Sequence, residues 1–235
     1  MTLWFKAVAS DVDGTLTDRT RRICVSALEA IRRLEANRVK VILVSGLPYP
    51  ILRGLSTYLG TTGSIIAENG GAVHYKNSLS VLGSNKSVRK ALKVLAKEFG
   101  DKISQYWTND FRLTDLAIQR NLPYEVIVKT LEREQVKVKV ADTGFAYHIF
   151  DPHVGRDKGL EIACQQMGLK PSEVLGIGDS DADSDLIRNA GFGVAVANAT
   201  AMLKSLADYV TAKPYGDGFA ETASLLLKGV FKPRK

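Results

Sequence analysis

Four short segments of this sequence place polar side chains where apolar runs end or where a helical pattern begins. They contain Asp11 and Asp13, Ser45 and Gly46, Lys158, and Asp179 and Asp183. A pair of aspartates alone is weak evidence, because acidic turns are common and are usually only solvated. The four segments together favour phosphoryl transfer, in which a protein mainly positions the reactants and neutralises spread negative charge.

Each of these side chains suits a distinct part of that chemistry. A carboxylate such as Asp11 can attack phosphorus and form a covalent aspartyl-phosphate, which divides one difficult step into two. Asp13 can donate a proton to the leaving alkoxide and later take one from water. Since two acids beside a phosphate need a cation, we expect Mg²⁺ to bridge Asp11, Asp179 and the phosphate through oxygen ligands. Ser45 and Lys158 would hold the remaining phosphate oxygens.

The elements that must position these residues alternate between strands and helices. Strands are predicted at residues 5–10, 39–44, 64–67, 174–177 and 193–196, and helices at residues 26–37, 158–167 and 184–189, with a further helix that begins near Pro48. Such alternation predicts a parallel sheet, and ligands of these sheets bind beyond the carboxyl ends of the strands. The four polar segments should therefore meet at one edge of the sheet.

The middle of the chain interrupts this pattern. Helical spacing at residues 86–99 and 124–134, with strand-like runs at residues 115–119, 135–140 and 146–150, predicts a smaller α/β unit. We assign residues 1–80 and 156–235 to a core domain and residues 81–155 to a cap domain inserted between its halves. The predicted fold is thus a doubly wound parallel-sheet α/β core with a small α/β cap that closes over the strand ends and chooses the substrate.

The ordered motifs resemble those of the haloacid dehalogenase superfamily. They are Asp11-Val12-Asp13-Gly14-Thr15, Ser45-Gly46, Lys158-Gly159 and Gly178-Asp179-Ser180-Asp181-Ala182-Asp183, and they span the chain. The segment Glu68-Asn69-Gly70-Gly71 and the position of the insert are similar to the Cof-type branch. The compact insert, which ends in Phe145-Ala146-Tyr147-His148-Ile149, resembles that of the archaeal phosphoglycolate phosphatases.

The resemblance implies a role for each motif residue. It makes Asp11 the nucleophile and a metal ligand, Asp13 the acid and base and a ligand through its main-chain carbonyl, Asp179 and Asp183 further ligands of Mg²⁺, and Ser45, Gly46 and Lys158 phosphate contacts. It implies 2-phosphoglycolate as substrate, with glycolate and phosphate as products. A broader sugar-phosphate phosphatase and a non-catalytic phospho-acceptor module remain as alternatives. Leu47 and Ala182 stand where the family usually has polar residues, so each loses a hydrogen-bonding group.

Several residues of the insert and its neighbourhood have two interpretations. Arg112 and Arg120 could grip a substrate carboxylate, because a guanidinium matches it bidentately, but most arginines are simply solvated. His148 could contact substrate or belong to the core. Glu68 and Asn69 could merely form a turn.

Composition limits the partners and the location. The formal net charge of +7 comes from 32 basic and 25 acidic residues, but the basic residues are scattered without interleaved aromatic residues, so we expect no nucleic-acid partner. No apolar run approaches the roughly 20 residues that span a bilayer, and Cys24 and Cys164 lack metal-ligand spacing. We expect a cytoplasmic protein that acts on a small phosphorylated metabolite. The sequence does not decide between a monomer and a homodimer.

Overall fold

The computed structural model describes residues 3–144 and 146–234 of the chain. The strands are β1 (Ala7–Asp11), β2 (Lys40–Val44), β3 (Ile65–Ala67), β4 (Ala72–Tyr75), β5 (Ser78–Val81), β6 (Asp115–Gln119), β7 (Lys139–Asp142), β8 (Ala146–Phe150), β9 (Val174–Gly178), β10 (Phe192–Ala195) and β11 (Tyr209–Val210). The helices are α1 (Val25–Ala36), α2 (Tyr49–Leu59), α3 (Asn85–Phe99), α4 (Tyr124–Arg133), α5 (Arg156–Met167), α6 (Ser184–Asn189), α7 (Ala201–Leu206) and α8 (Tyr215–Leu227). Short 3₁₀ helices cover Glu68–Gly70, Gly100–Lys102, Trp107–Phe111, Pro171–Glu173 and Asp181–Asp183.

The larger sheet has the strand order β11-β10-β9-β1-β2-β3-β4-β5. The strands from β11 to β3 pair in parallel, whereas β4 and β5 add an antiparallel hairpin at one edge. The chain runs outward from β1 to one edge and later from β9 to the other, which confirms the predicted doubly wound α/β fold. The hairpin was not predicted; its last strand ends at Val81, one residue inside the predicted insert.

Helices cover both faces of this sheet, as the alternation along β1 requires. Val8 points to the face covered by α1, α2, α7 and α8. Ala7 and Ala9 point to the opposite face, which α5 and α6 cover. A central strand buried on both faces is typical of parallel sheets.

The middle of the chain forms a separate antiparallel sheet with the order β6-β8-β7. Its core combines Val88 and Leu95 of α3 with Ile127 and Leu131 of α4 against the sheet. The strand β7 begins four residues later than the sequence pattern predicted. The two ends of this unit meet, since Ser84 N donates a hydrogen bond of 3.1 Å to Asp151 Oδ2. The domain bounds given above remain a prediction, with which this arrangement agrees.

No helix in the described part of the chain combines the length and the apolar character that a membrane crossing needs.

Candidate active site

Three neighbouring strands bring the predicted site residues together. Asp11 is the last residue of β1, Ser45 follows β2, and Asp179 follows β9. Because β1 lies between β9 and β2 in parallel register, the three carboxyl ends form one edge. Sequence alternation predicted that these residues meet at one edge of the sheet, and the structure brings all three there; their roles stay a prediction.

The centre of the site is a cluster of three carboxylates, of which Asp11 and Asp183 are buried and Asp179 is half-buried. Asp11, Asp179 and Asp183 each offer an oxygen, and these oxygens lie within 4.8 Å of one another. The guanidinium of Arg156 lies among them, with Nη1 donating to Asp11 Oδ1 at 2.8 Å and also to Asp183 Oδ1. Burial and the nearby charge of Asp183 raise the pKa of Asp11 well above its ordinary value. The same two causes raise the pKa of Asp179 to about 7.

The charge balance of this cluster suits a divalent cation. Among the described residues, Arg156 is the basic residue that forms ion pairs with this cluster. One positive charge thus faces three carboxyl groups. Buried carboxylates without compensation are costly, which is why their pKa values rise. Hard oxygen donors in this number fit Mg²⁺, which prefers carboxylates and retains waters.

Asp183 organises the loop beyond β9 as well as facing the cluster. Its Oδ2 accepts hydrogen bonds from Asp179 N at 3.2 Å, Ser180 N at 3.0 Å and Ser180 Oγ at 3.1 Å. Since its Oδ1 accepts from Arg156, both oxygens are engaged. Asp183 therefore holds the Asp179 loop and the guanidinium in one fixed relation.

Gly14 explains why the first motif approaches Asp179 so closely. Its φ is +86°, in the left-handed region, and a Cβ there would lie 2.3 Å from Asp179 Oδ2. Asn198 Nδ2 donates to the Gly14 carbonyl at 2.9 Å and fixes the turn. A side chain at this position would push the two acidic segments apart.

A cavity of about 660 Å³ opens from the cluster between the core and the small antiparallel sheet. Asp13, Ser45 and Gly46 line it beside the carboxylates, as predicted. Asp13 Oδ1 accepts a hydrogen bond of 2.9 Å from Arg21 Nε, and Ser45 Oγ accepts one of 3.1 Å from Leu47 N. The site thus has a buried cluster at its base and a wider chamber above.

Lys158 does not lie in this cluster, contrary to the sequence prediction. Its side chain is 54% exposed and its Nζ pairs with Glu161 at 3.1 Å. The helix α5 begins at Arg156, two residues before the predicted start, and two residues turn a helix by roughly 200°. Arg156 therefore faces the carboxylates and Lys158 faces solvent. Gly155, which lies at the N-cap position of α5, was the signal in the sequence for the earlier start.

A buried polar network joins the small sheet to the core beside the chamber. Asp115 accepts hydrogen bonds from Arg112 Nη1 at 2.6 Å and Asn69 Nδ2 at 3.3 Å and shares one of 3.1 Å with His148 Nδ1. Burial alone would raise the pKa of Asp115, but the bond with His148 and the charge of Arg112 hold it below its ordinary value. Arg112 also donates to the Gly46 carbonyl at 3.0 Å. We call this the Asp115 network. Through Arg112 it contacts Gly46, one of the predicted phosphate contacts.

Glu68 makes a second connection between the two sheets. Its Oε2 accepts hydrogen bonds from Leu113 N at 2.9 Å, Thr114 N at 2.7 Å and Thr114 Oγ1 at 2.9 Å. Both Glu68 and Asn69 adopt positive φ angles, 52° and 57°. They do more than form a turn, because their side chains form hydrogen bonds that connect the inserted segment to the core.

The remaining candidates lie outside the cluster. Arg120 pairs with Asp142 on the surface at 2.9 Å and donates to the Gly144 carbonyl. A smaller cavity of about 170 Å³ lies behind Arg156, where Lys139 and Asp185 contribute to its wall.

The chain is similar to known proteins over most of its length. The family model for haloacid dehalogenase-like hydrolases matches residues 8–142 and 116–222. The phosphoglycolate phosphatase of Methanothermobacter thermautotrophicus is 38% identical over 216 residues, which cover 92% of this chain and 96% of the relative. Phosphoglycolate phosphatase 1 of Saccharolobus solfataricus is 39% identical over 231 residues, 96% of this chain and 97% of the relative. The crystal structure of protein 0175 of Thermoplasma acidophilum superposes with a TM-score of 0.86 at 26% identity, covering 95% of this chain and 98% of that one.

Proposed function

Because the chain belongs to the haloacid dehalogenase-like hydrolases and is a phosphatase, we propose that it hydrolyses 2-phosphoglycolate to glycolate and phosphate with Asp11 as nucleophile. The observation that carries this proposal is the largely buried cluster of Asp11, Asp179 and Asp183 at the base of a chamber that Asp13 also lines. The choice of substrate is supported by relatives that carry the name phosphoglycolate phosphatase.

The reaction divides between Asp11 and Asp13. An oxygen of Asp11 attacks phosphorus, the bond from phosphorus to the ester oxygen breaks, and Asp13 gives its proton to that oxygen as glycolate leaves. Asp13 then takes a proton from a water molecule, which attacks the phosphorus of the aspartyl-phosphate and regenerates Asp11. Burial of Asp11 fits this role, because a desolvated carboxylate is held in place and shielded from bulk water.

Mg²⁺ would be held by Asp11, Asp179 and Asp183 together with the main-chain carbonyl of Asp13. When bound, it would neutralise charge on the phosphoryl oxygens and on the carboxylates. The three acids supply oxygen donors in the number and chemistry that this ion requires.

The phosphate itself would be held by Ser45, Gly46 and Arg156. Arg156 is nearly fully buried and contacts Asp11. Its guanidinium therefore lies beside the position that a phosphoryl group bonded to Asp11 would occupy. A guanidinium binds phosphate oxygens in a planar, bidentate manner. We assign to Arg156 the cationic role that the sequence pattern had given to Lys158.

A broader sugar-phosphate phosphatase is the second candidate. The chamber of about 660 Å³ falls within the usual range of small-molecule sites, roughly 300–1,000 Å³, and has room for a ligand larger than a two-carbon acid. The ratio of kcat/KM for 2-phosphoglycolate and for hexose phosphates separates the two.

The test is phosphate release from 2-phosphoglycolate and a panel of sugar phosphates, with Mg²⁺ and with a chelator. We expect Mg²⁺-dependent turnover by the native chain and its loss in Asp11→Asn and Asp13→Asn. The exposed Asp185→Asn, from the same acidic segment, is the matched control and should retain turnover. Stable labelling of Asp11 without release would instead indicate a phospho-acceptor module, and a preference for hexose phosphates would indicate the second candidate.

We also propose a cytoplasmic location, supported by the unpaired thiols of Cys24 and Cys164. Light scattering of the purified chain decides between a monomer and a homodimer.

A further inference from the structure

We propose that Arg21 selects acid substrates by binding the carboxylate of the leaving group. This inference rests on the proposed function, since it names the residue that recognises the glycolate part of the substrate. It concerns the loop between Thr17 and Ile23, whose ends pair in an isolated antiparallel bridge.

The loop is built to direct Arg21 towards Asp13. Asp18 Oδ1 accepts hydrogen bonds from Thr20 N at 2.7 Å, Thr20 Oγ1 at 2.7 Å and Arg22 N at 3.1 Å. Arg21 N donates to the Asp18 carbonyl at 2.9 Å. Arg21 itself has a φ of 64°, a left-handed conformation that is unfavourable for a residue with a Cβ. Such strain persists where the surrounding structure imposes it, often at functional sites.

This position is next to the bond that breaks. Arg21 and Asp13 both line the chamber, and the contact between them is 2.9 Å from Nε to Oδ1. Asp13 serves the ester oxygen in the proposed reaction, and in 2-phosphoglycolate a single methylene group separates that oxygen from the carboxylate. The carboxylate of a bound substrate would therefore lie within reach of the guanidinium, whose five N–H donors match carboxylate geometry.

The acids of the chamber wall favour a basic group beside the carboxylate end of the substrate. Its wall includes acids in addition to the buried cluster, namely Asp13, Asp142 and Asp181. A substrate that carries a phosphate and a carboxylate would be repelled from this wall unless basic groups faced both ends. Arg156 faces the phosphate end, where it pairs with Asp11 and Asp183.

Two other arginines fit the role less well. The Arg112 side chain is only 4% exposed and is tied to Asp115 and to the Gly46 carbonyl, so it belongs to the structure of the interface. Arg120 pairs with Asp142 on the surface. The Arg21 side chain is 51% exposed while it lines the chamber, which lets a ligand approach it.

The experiment compares a substrate whose leaving group is an acid with one whose leaving group is uncharged and of similar size. It measures kcat/KM for 2-phosphoglycolate and for 2-hydroxyethyl phosphate, in which a hydroxymethyl group replaces the carboxylate. The native chain is compared with Arg21→Met and Arg21→Lys, and Arg19→Met is the matched control, because Arg19 is an exposed arginine of the same loop.

For Arg21→Met we expect kcat/KM for 2-phosphoglycolate to fall by about 10- to 100-fold, the effect of losing a charge-assisted hydrogen bond. The kcat/KM for 2-hydroxyethyl phosphate should change by less than about threefold. Arg21→Lys should fall between native and Met, since it keeps the charge without the planar fork. Inhibition by free glycolate should weaken in parallel, and Arg19→Met should match the native chain.

Equal losses on both substrates would overturn the proposal, because they would mean that Arg21 acts only by orienting Asp13. Unchanged values in Arg21→Met would overturn it too. Failure of the native chain to hydrolyse 2-phosphoglycolate while it cleaves other esters would reject the proposed function itself, and this result appears in the native chain rather than in the variants. Thermal unfolding of each variant, expected to match the native chain, guards against a folding defect.

Discussion

Arg156 is a single guanidinium enclosed with three carboxylates, and its chemistry suits that position. Burial would lower the pKa of Arg156, but the charges of Asp183 and Asp11 raise it above its ordinary value, so the group stays charged. Its planar fork contacts two acids from one nitrogen and retains further N–H groups for a phosphate. A lysine would offer a compact charge without this geometry.

The first prediction separates Arg156 from Lys158. We expect Arg156→Met to lower kcat/KM by about 100-fold, comparable to the loss of a donor that stabilises transition-state charge. Lys158→Met, which removes an exposed side chain of the same helix turn, should stay within about threefold of native, because an exposed pair with Glu161 contributes little. Steady-state kinetics with both variants checks this. The reverse order of effects would restore Lys158 as the phosphate contact.

Single residues show how far the sequence could predict the site. Asp11, Ser45 and Asp179 follow strands whose apolar runs are unambiguous, and the structure brings all three to one edge. Arg156 and Arg21 were missed for different reasons. The facing direction of Arg156 depends on where α5 begins, and the contact of Arg21 depends on a left-handed turn that no periodicity reveals.

At the scale of elements, the Asp115 network decides how the small sheet sits on the large one. Asp115 begins β6 and contacts Arg112 and His148 within the small unit and Asn69 in the core. A buried acid with a buried basic partner is expensive to break, since the partner remains charged and desolvated. The network therefore fixes the small sheet, which lies above the chamber, relative to the carboxylate cluster at the base of the chamber.

The second prediction compares two aspartates of the small sheet. Asp115→Asn should lower the free energy of unfolding by about 3 kcal/mol, because it leaves Arg112 buried without its counter-charge. Asp142→Asn removes the exposed partner of Arg120 and should cost much less, because solvent screens an exposed ion pair. Urea unfolding followed by circular dichroism measures both. Similar values for the two variants would show that the Asp115 network does not stabilise the interface.

Some elements escaped prediction for physical reasons. The hairpin of β4 and β5 follows the short strand β3 after a single 3₁₀ turn rather than an α-helix, so the alternation of strands and helices gave no sign of it. The first turn of α8 contains Gly216 and Gly218, which lower helix propensity. Its packing against α1 through Phe219 and Ala223 supplies the stability that the local sequence lacks.

For the whole molecule, the acidic cluster makes stability depend on pH, and we expect a bound cation to change that dependence. Asp179 has a pKa of about 7 in the folded chain without metal, above its ordinary value near 3.8. Folding therefore disfavours the ionised carboxylate of Asp179, which lowers the free energy of unfolding. This loss of stability is fully present above pH 7 and disappears as the pH falls towards 3.8, the ordinary pKa. A cation removes the penalty at high pH but must displace a proton at low pH.

The third prediction follows from this sign. The rise in Tm on adding saturating Mg²⁺ should be larger at pH 8 than at pH 6, by about 2–4 °C for each kcal/mol gained in a chain of this size. Differential scanning fluorimetry with Mg²⁺ or a chelator at each pH measures it. In Asp179→Asn the difference between the two pH values should shrink. An equal or larger rise at pH 6 would contradict the prediction.

The meeting of Ser84 with Asp151 has a consequence for how such a protein can change over generations. Because the inserted segment leaves the core and returns at adjacent points, a short loop could bridge the gap, and a different insert could occupy the same place without re-routing the large sheet. Insertion and replacement of a segment are tolerated where its two ends lie close together. Selection could therefore exchange the small sheet above the chamber, and with it the substrates accepted, while the carboxylate cluster below is inherited unchanged.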